Sequence, residues 1–163
     1  MVEVLPAENE NNYEYLYQIK KYAKEAGFIY YSKVPWKKGT FVSNTGRKAK
    51  NTQDIMIFSK GKARNMRFDK KKFDMTGEKH YMSGCNGMLP TMFDVQPVAR
   101  KNKIHQSELP VELCEKILEY VTYEGEIVLD SFAGSGAVGV AALNKKRSCI
   151  LIEICLLYTS DAA

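Results

Sequence analysis

The stretch "IVLDSFAGSGAVGVAALNKKRSCILIEI", Ile127 to Ile154, constrains the fold more than any other part of this chain. A short apolar run leads into a glycine turn, an alanine-rich segment follows, and a second β-rich run carries Glu153. Apolar runs of this length bounded by glycine predict strands, and the alanine-rich segment predicts a helix starting near Ala137. Gly134, Gly136 and Gly139 satisfy G-x-G-x-x-G, and Glu153 closes the second strand about 20 residues on, where an acid can accept hydrogen bonds from ribose hydroxyls. Glycine lets a ligand approach the backbone, and the unpaired N–H groups of the helix start face the turn. An adenosine-containing cofactor fits. The same pattern also describes a tight turn that binds nothing.

Asp130 narrows the choice. It ends the first strand, and Ser131 and Phe132 separate it from Ala133 and Gly134. A turn that holds an anionic pyrophosphate disfavours a carboxylate beside it, which argues against a nicotinamide dinucleotide. S-adenosylmethionine has a sulfonium and an α-ammonium and no phosphate. Asp130 at its amino-acid end and Glu153 at its ribose make electrostatic sense together. A residue capping the following helix is the alternative role for Asp130.

The remaining residues set the surroundings. At 163 residues with 45% hydrophobic and 26% charged content, the composition is that of one soluble globular domain. No apolar run approaches the roughly 20 residues of a membrane span, and Met1 to Asn12 lacks the apolar core of a signal peptide, so a cytoplasmic location is expected. Cys85, Cys114, Cys149 and Cys155 form no C-x-x-C pair, and His80 and His105 are the only histidines; no metal site is expected. The net charge of +5 is unevenly spread. Residues 33–103 carry 17 Lys and Arg against 5 Asp and Glu, and the flanks carry 7 against 14. A +12 segment suits a polyanion, because Lys and Arg that neutralise phosphates release counterions. Its candidate DNA ligands are Lys37, Lys38, Arg47, Lys48, Arg64, Arg67, Lys70, Lys71 and Lys72. A solvated basic face without a ligand would show the same charge.

Leu16, Ile19, Ala23 and Ala26 recur at helical spacing over Tyr13 to Ala26, and Gly27 supplies the stop. Gly27 to Trp36 and Gln53 to Gly61 are rich in β-branched and aromatic residues and predict two strands joined by a basic loop. Lys62 to Arg100 has no period and interleaves Phe68, Phe73, Tyr81 and Phe93 with basic residues, as an irregular segment would. A helix is expected from Pro110, as its first residue, with Leu113, Cys114, Ile117, Leu118 and Val121 on one face.

"VLDSFAGSG" resembles the D-P-F-x-G-S-G motif of the amino-directed DNA methyltransferases, which modify adenine N6 or cytosine N4, with Ser131 in place of the usual proline. Upstream, "IHQSELPVELCEKIL" resembles that family's H-P-x-x-K-P-x-x-L segment through His105, Pro110 and Leu113, with Gln106 and Leu109 where Pro and Lys are usual. "AGFIYYSKVPWKKG" and "KNTQDIMIFSKGKAR" resemble the late strand pair of the subgroup, phage-type enzymes included, whose cofactor motif follows the recognition region. The resemblance covers Tyr13 to Ile154. It implies an α/β, Rossmann-like S-adenosylmethionine-dependent methyltransferase fold, double-stranded DNA as partner, and a possible restriction endonuclease partner. It also implies a cofactor site of His105, Pro110, Asp130, Phe132, Ala133, Gly134, Ser135, Gly136 and Glu153.

The family's catalytic motif is an acid, Asn or Ser followed by Pro-Pro and an aromatic, and this sequence has no Pro-Pro. No catalytic residue is assigned. The expectation is therefore an incomplete fold without its central catalytic strand. Residues 1–154 would form the C-terminal portion of a methyltransferase domain, with recognition in 33–103 and cofactor binding in 104–154. Residues 155–163 have no counterpart in the family and read as a non-native tail. Such a chain should not turn over alone. A dinucleotide-dependent oxidoreductase fragment and a non-catalytic basic DNA-binding module remain the alternatives.

Overall fold

Five consecutive buried residues, Asp54 to Phe58, need cover on both faces, and they occupy a central strand. The computed structural model describes residues 1–6, 13–39, 52–61, 89–103 and 108–154. The chain divides into two units, one of residues 1–65 and 89–95, the other of residues 66–88 and 96–163.

In the first unit β1 (Val2–Pro6), α1 (Tyr13–Glu25), β2 (Phe28–Lys37), β3 (Thr52–Lys60) and β4 (Phe93–Asp94) follow in order. The sheet order is β1-β3-β2-β4, with β3 antiparallel to both neighbours and β4 parallel to β2. Met56 and Phe58 pack with Leu5 and with Leu16 and Ala23 of α1. Ile55 and Ile57 take the opposite face by strand alternation. The buried Trp36 ring donates its Nε1–H to the Val95 carbonyl at 2.8 Å, which fixes the chain after β4. The register of β2 slips between Tyr30 and Ser32, leaving Tyr31 as a bulge. Both expected strands form, within one residue of their predicted bounds. Ala26 is exposed in the turn after α1 instead of on its buried face, because Gly27, at φ 81°, has already ended the helix.

The second unit contains α2 (Val111–Val121), β5 (Ile127–Asp130), α3 (Ala137–Asn144) and β6 (Ser148–Leu151). β5 and β6 pair in parallel, Ile127 with Ser148 through Asp130 with Leu151, around the α3 crossover. This β-α-β unit gives the chain its Rossmann-like character. The small side chains of α3 allow close packing: Ala137, Ala141 and Ala142 share a core with Cys114 and Leu118 of α2. A Cβ on Gly139 would lie 2.6 Å from Leu151 Cδ1, so a larger residue here would require the exposed Leu151 side chain to shift. Pro110 is the N-cap of α2 and not its first helical residue. Its ψ of 133° is extended, and its carbonyl accepts the N–H groups of Leu113 and Cys114 at 3.0 and 3.2 Å.

Arg147 pins the far end of this unit. Its side chain is buried, with Nε donating to Thr122 Oγ1 at 3.1 Å, Nη2 to the Thr122 carbonyl at 2.9 Å, and Nη1 to the Lys145 carbonyl. Thr122 Oγ1 itself donates to the Leu118 carbonyl at 2.6 Å, so one guanidinium joins the end of α2 to the turn before β6. Arg147→Ala should destabilise the chain by about 2–3 kcal/mol, because buried acceptors lose a charged donor. Denaturant unfolding checks this, and an unchanged midpoint would contradict it.

Burial, and after it the charge of Asp130, push the Cys114 thiol from 9.0 up to about 12. The unfolded chain therefore gives up this proton first, so the contribution is present below pH 9 and is lost as pH rises towards 12. Stability measured between pH 8 and pH 10.5 should fall, and Cys114→Ala should flatten that part of the profile. An equal decline in both proteins would assign the loss to other groups.

Candidate functional site

Parallel pairing brings the C-terminal ends of β5 and β6 side by side, and the glycine turn closes over them. The Ile152 N–H donates to the Asp130 carbonyl at 2.8 Å, and the Ala133 N–H donates to the Ile152 carbonyl at 2.9 Å. The two strands thus stay joined past their last ladder pair. Gly134 and Gly136 both hold positive φ, 50° and 76°, a conformation that side chains other than glycine rarely adopt. The Gly136 N–H closes the turn on the Ala133 carbonyl at 2.7 Å, and α3 starts at the next residue.

Two carboxylates flank this turn. Asp130 Oδ1 accepts the Phe132 N–H at 3.1 Å, which holds the chain as it leaves β5. The N-cap of α3 is Gly136, without a side-chain bond, so Asp130 does not cap that helix. Glu153 Oε2 accepts the Gly134 N–H at 2.6 Å, a short charge-assisted bond. Glu153 lies two residues beyond β6, not at its last paired position, because the ladder ends at Leu151. That offset gives its side chain room to turn back onto the glycines. A carboxylate that accepts one N–H keeps further lone pairs for other donors.

The surface of the glycine turn is exposed. Phe132, in the turn between β5 and α3, is 84% exposed. No atom stands within 4 Å of the place a Cβ would take on Gly136. Ser135 is half-buried beside it, and Pro110 is buried at the start of α2. The influence of Asp130 on Cys114 places the first turn of α2 within the field of that carboxylate. The structure thus brings Asp130, Phe132, Ala133, Gly134, Ser135, Gly136 and Glu153 to one end of the β-α-β unit. His105 lies outside the described residues.

The basic candidates are less simply disposed. Lys37 is ion-paired with Asp94 at 3.3 Å, and the Lys38 ammonium sits 4.8 Å from the centre of the Trp36 ring. Sequence reasoning missed both partners, since Asp94 lies 57 residues from Lys37 and no pattern links them. Arg47, Lys48, Arg64, Arg67, Lys70, Lys71 and Lys72 lie outside the described residues. Among the described residues no group of three His, Cys, Asp or Glu could hold a metal ion, and no helix is long and apolar enough to cross a membrane.

Comparison with known proteins gives this geometry a family. The type II methyltransferase M.BglI of Bacillus subtilis is 28% identical over 141 residues, covering 83% of this chain and 38% of that protein. The type II methyltransferase M.HpaI of Haemophilus parainfluenzae is 27% identical over 146 residues, 86% of this chain and 45% of that protein. The chain thus spans less than half the length of either relative. Among solved structures, the M1.HpyAVI–SAM complex superposes with a TM-score of 0.68 at 24% identity, over 96% of this chain and 70% of that one. The cytosine-N4-specific PvuII DNA methyltransferase gives 0.65 at 17% identity, over 96% of this chain and 60% of that one. These likenesses carry the fold. Residues 6–163 match the N6_N4_Mtase family, DNA methylase, and the chain therefore belongs to that family.

Proposed function

We propose that this chain is the cofactor-binding and DNA-recognition portion of an enzyme that transfers a methyl group from S-adenosylmethionine to adenine N6 or cytosine N4 in DNA. The observation that carries the proposal is the pair of carboxylates, Asp130 and Glu153, on either side of a left-handed glycine turn at the ends of parallel strands. Family membership and the SAM complex of M1.HpyAVI support the same ligand. When bound, S-adenosylmethionine supplies a methyl group on a sulfonium, which is open to attack by an amino lone pair.

The chain's own residues bind and orient. Glu153 accepts hydrogen bonds from ribose hydroxyls with oxygen lone pairs left over from its bond to Gly134, or by exchanging that bond. Asp130 offers negative charge to the ammonium and sulfonium end, and Phe132 offers an exposed ring as an apolar wall. Gly134 and Gly136 leave the backbone bare for close approach. His105, Ser135 and Pro110 complete the proposed pocket. Transfer further requires groups that hold the amino group and stack the extruded base, and none of these 163 residues is assigned to that work. The choice of adenine over cytosine, a restriction endonuclease partner, a phage-type lineage and a cytoplasmic location belong to the same proposal.

Glu153→Ala should weaken S-adenosylmethionine binding by about 1–3 kcal/mol through lost charge-assisted hydrogen bonds. Isothermal calorimetry measures it; unchanged affinity, or tighter binding of NAD than of S-adenosylmethionine by the parent chain, would sink the assignment.

Residues 33–103 are the proposed recognition segment. Lys37 is ion-paired with Asp94, so more of the proposed phosphate binding rests on Lys38, Arg47, Lys48, Arg64, Arg67 and Lys70 to Lys72. Charge reversal at Lys70, Lys71 and Lys72 should lower DNA affinity and make its salt dependence less steep, with cofactor affinity unchanged. A salt slope indifferent to all three changes would place the DNA elsewhere.

A further inference from the structure

On β2, Lys33 pairs with Asp54 at 3.4 Å and Lys37 with Asp94 at 3.3 Å. On α1, in a flank that is acidic by composition, Lys20, Lys21 and Lys24 take part in no ion pair among the described residues. The same helix exposes its tyrosines: Tyr13 is 63% exposed, Tyr17 67% and Tyr22 61%.

Tyr13, Tyr17, Lys20 and Lys24 recur at intervals of four, three and four, so they form one stripe about 16 Å long beside the buried face of α1. Glu14 and Glu25 fall roughly 100–120° away around the helix, which leaves the stripe without a carboxylate. The Lys20 ammonium is held 4.4 Å from the centre of the Tyr30 ring on β2, and that ring packs edge-on against Phe58. Its charge is thus fixed in place by the sheet. Lysine in a last helical turn also suits the helix dipole, which accounts for Lys24 but for none of the tyrosines.

We infer that this stripe is a second DNA-binding surface, outside residues 33–103 in sequence, which holds the phosphate backbone of a duplex without reading its bases. The inference rests on DNA being the substrate. Duplex DNA presents a phosphate about every 3.4 Å of axis on each strand, so a stripe of this length can engage several. Ammonium groups and phenolic O–H groups both donate to phosphate oxygens and carry no sequence information of their own. The stripe therefore adds affinity and orientation that are independent of the target sequence.

The test is fluorescence anisotropy of the full chain with labelled mixed-sequence duplex DNA across a salt series, with light scattering and S-adenosylmethionine calorimetry on every variant. The double variant Lys20→Glu with Lys24→Glu should bind DNA about tenfold more weakly, and its log–log salt slope should be less steep by about 2, near 0.9 for each phosphate that is no longer neutralised. Tyr13→Phe with Tyr17→Phe, which keeps both rings and removes the donors, should weaken binding a few-fold at an unchanged slope. A far-UV circular dichroism spectrum and a denaturant midpoint equal to those of the parent chain in each variant show that α1 and its unit are intact. DNA binding by the parent that neither double variant alters overturns the stripe alone. A parent chain that binds no duplex overturns the stripe together with the proposed substrate. A dimer that these variants dissolve would assign the stripe to a second copy and overturn the inference.

Discussion

The parallel pairing of β5 with β6 is the constraint on which the rest of the site depends. It sets Asp130 opposite Leu151, so the two strands end together, with Asp130 closing the first and Glu153 two residues past the end of the second, both beside the glycine turn. A shift of one residue in this register would turn Val128 and Cys149 away from the core they share with α3 and present Ile127 or Ile150 in their place. Packing thus enforces the register, and the register places the acids. The short bond from Gly134 to Glu153 then links the second strand directly to the turn that follows the first.

The helices hold that arrangement at both ends. Near the site, the alanines of α3 lie against Cys114 and Leu118 of α2, and Gly139 allows the helix down onto Leu151. At the opposite end, Arg147 ties the last turn of α2 to the turn before β6. The other face of the β5–β6 pair is open: Ile127, Leu129 and Ile150 are more than half exposed. Parallel sheets ordinarily have both faces covered, and here α3 covers one.

Much of this was legible in the sequence, because the signals were local. The glycine spacing, the acid ending β5, the β-branched and aromatic runs of β2 and β3 and the stripe of α2 each lie within a few residues, and each formed close to where the pattern put it. Pro110 was misplaced by one position because the same residue type suits both an N-cap with extended ψ and the first helical turn. What the sequence concealed depends on distance. Lys37 and Asp94, Arg147 and Thr122, and Gly134 and Glu153 meet only after the chain folds.

The central claim is that Asp130, the glycine turn and Glu153 form one ligand site for S-adenosylmethionine. An NMR titration of the isotope-labelled chain addresses it residue by residue, because the Gly134 amide reports its bond to Glu153 directly. Addition of S-adenosylmethionine should shift the Phe132, Gly134, Ser135, Gly136 and Glu153 amides together and saturably, and NAD should leave them in place. Saturable shifts that avoid these residues, or a response of the turn to NAD and not to S-adenosylmethionine, would contradict the account.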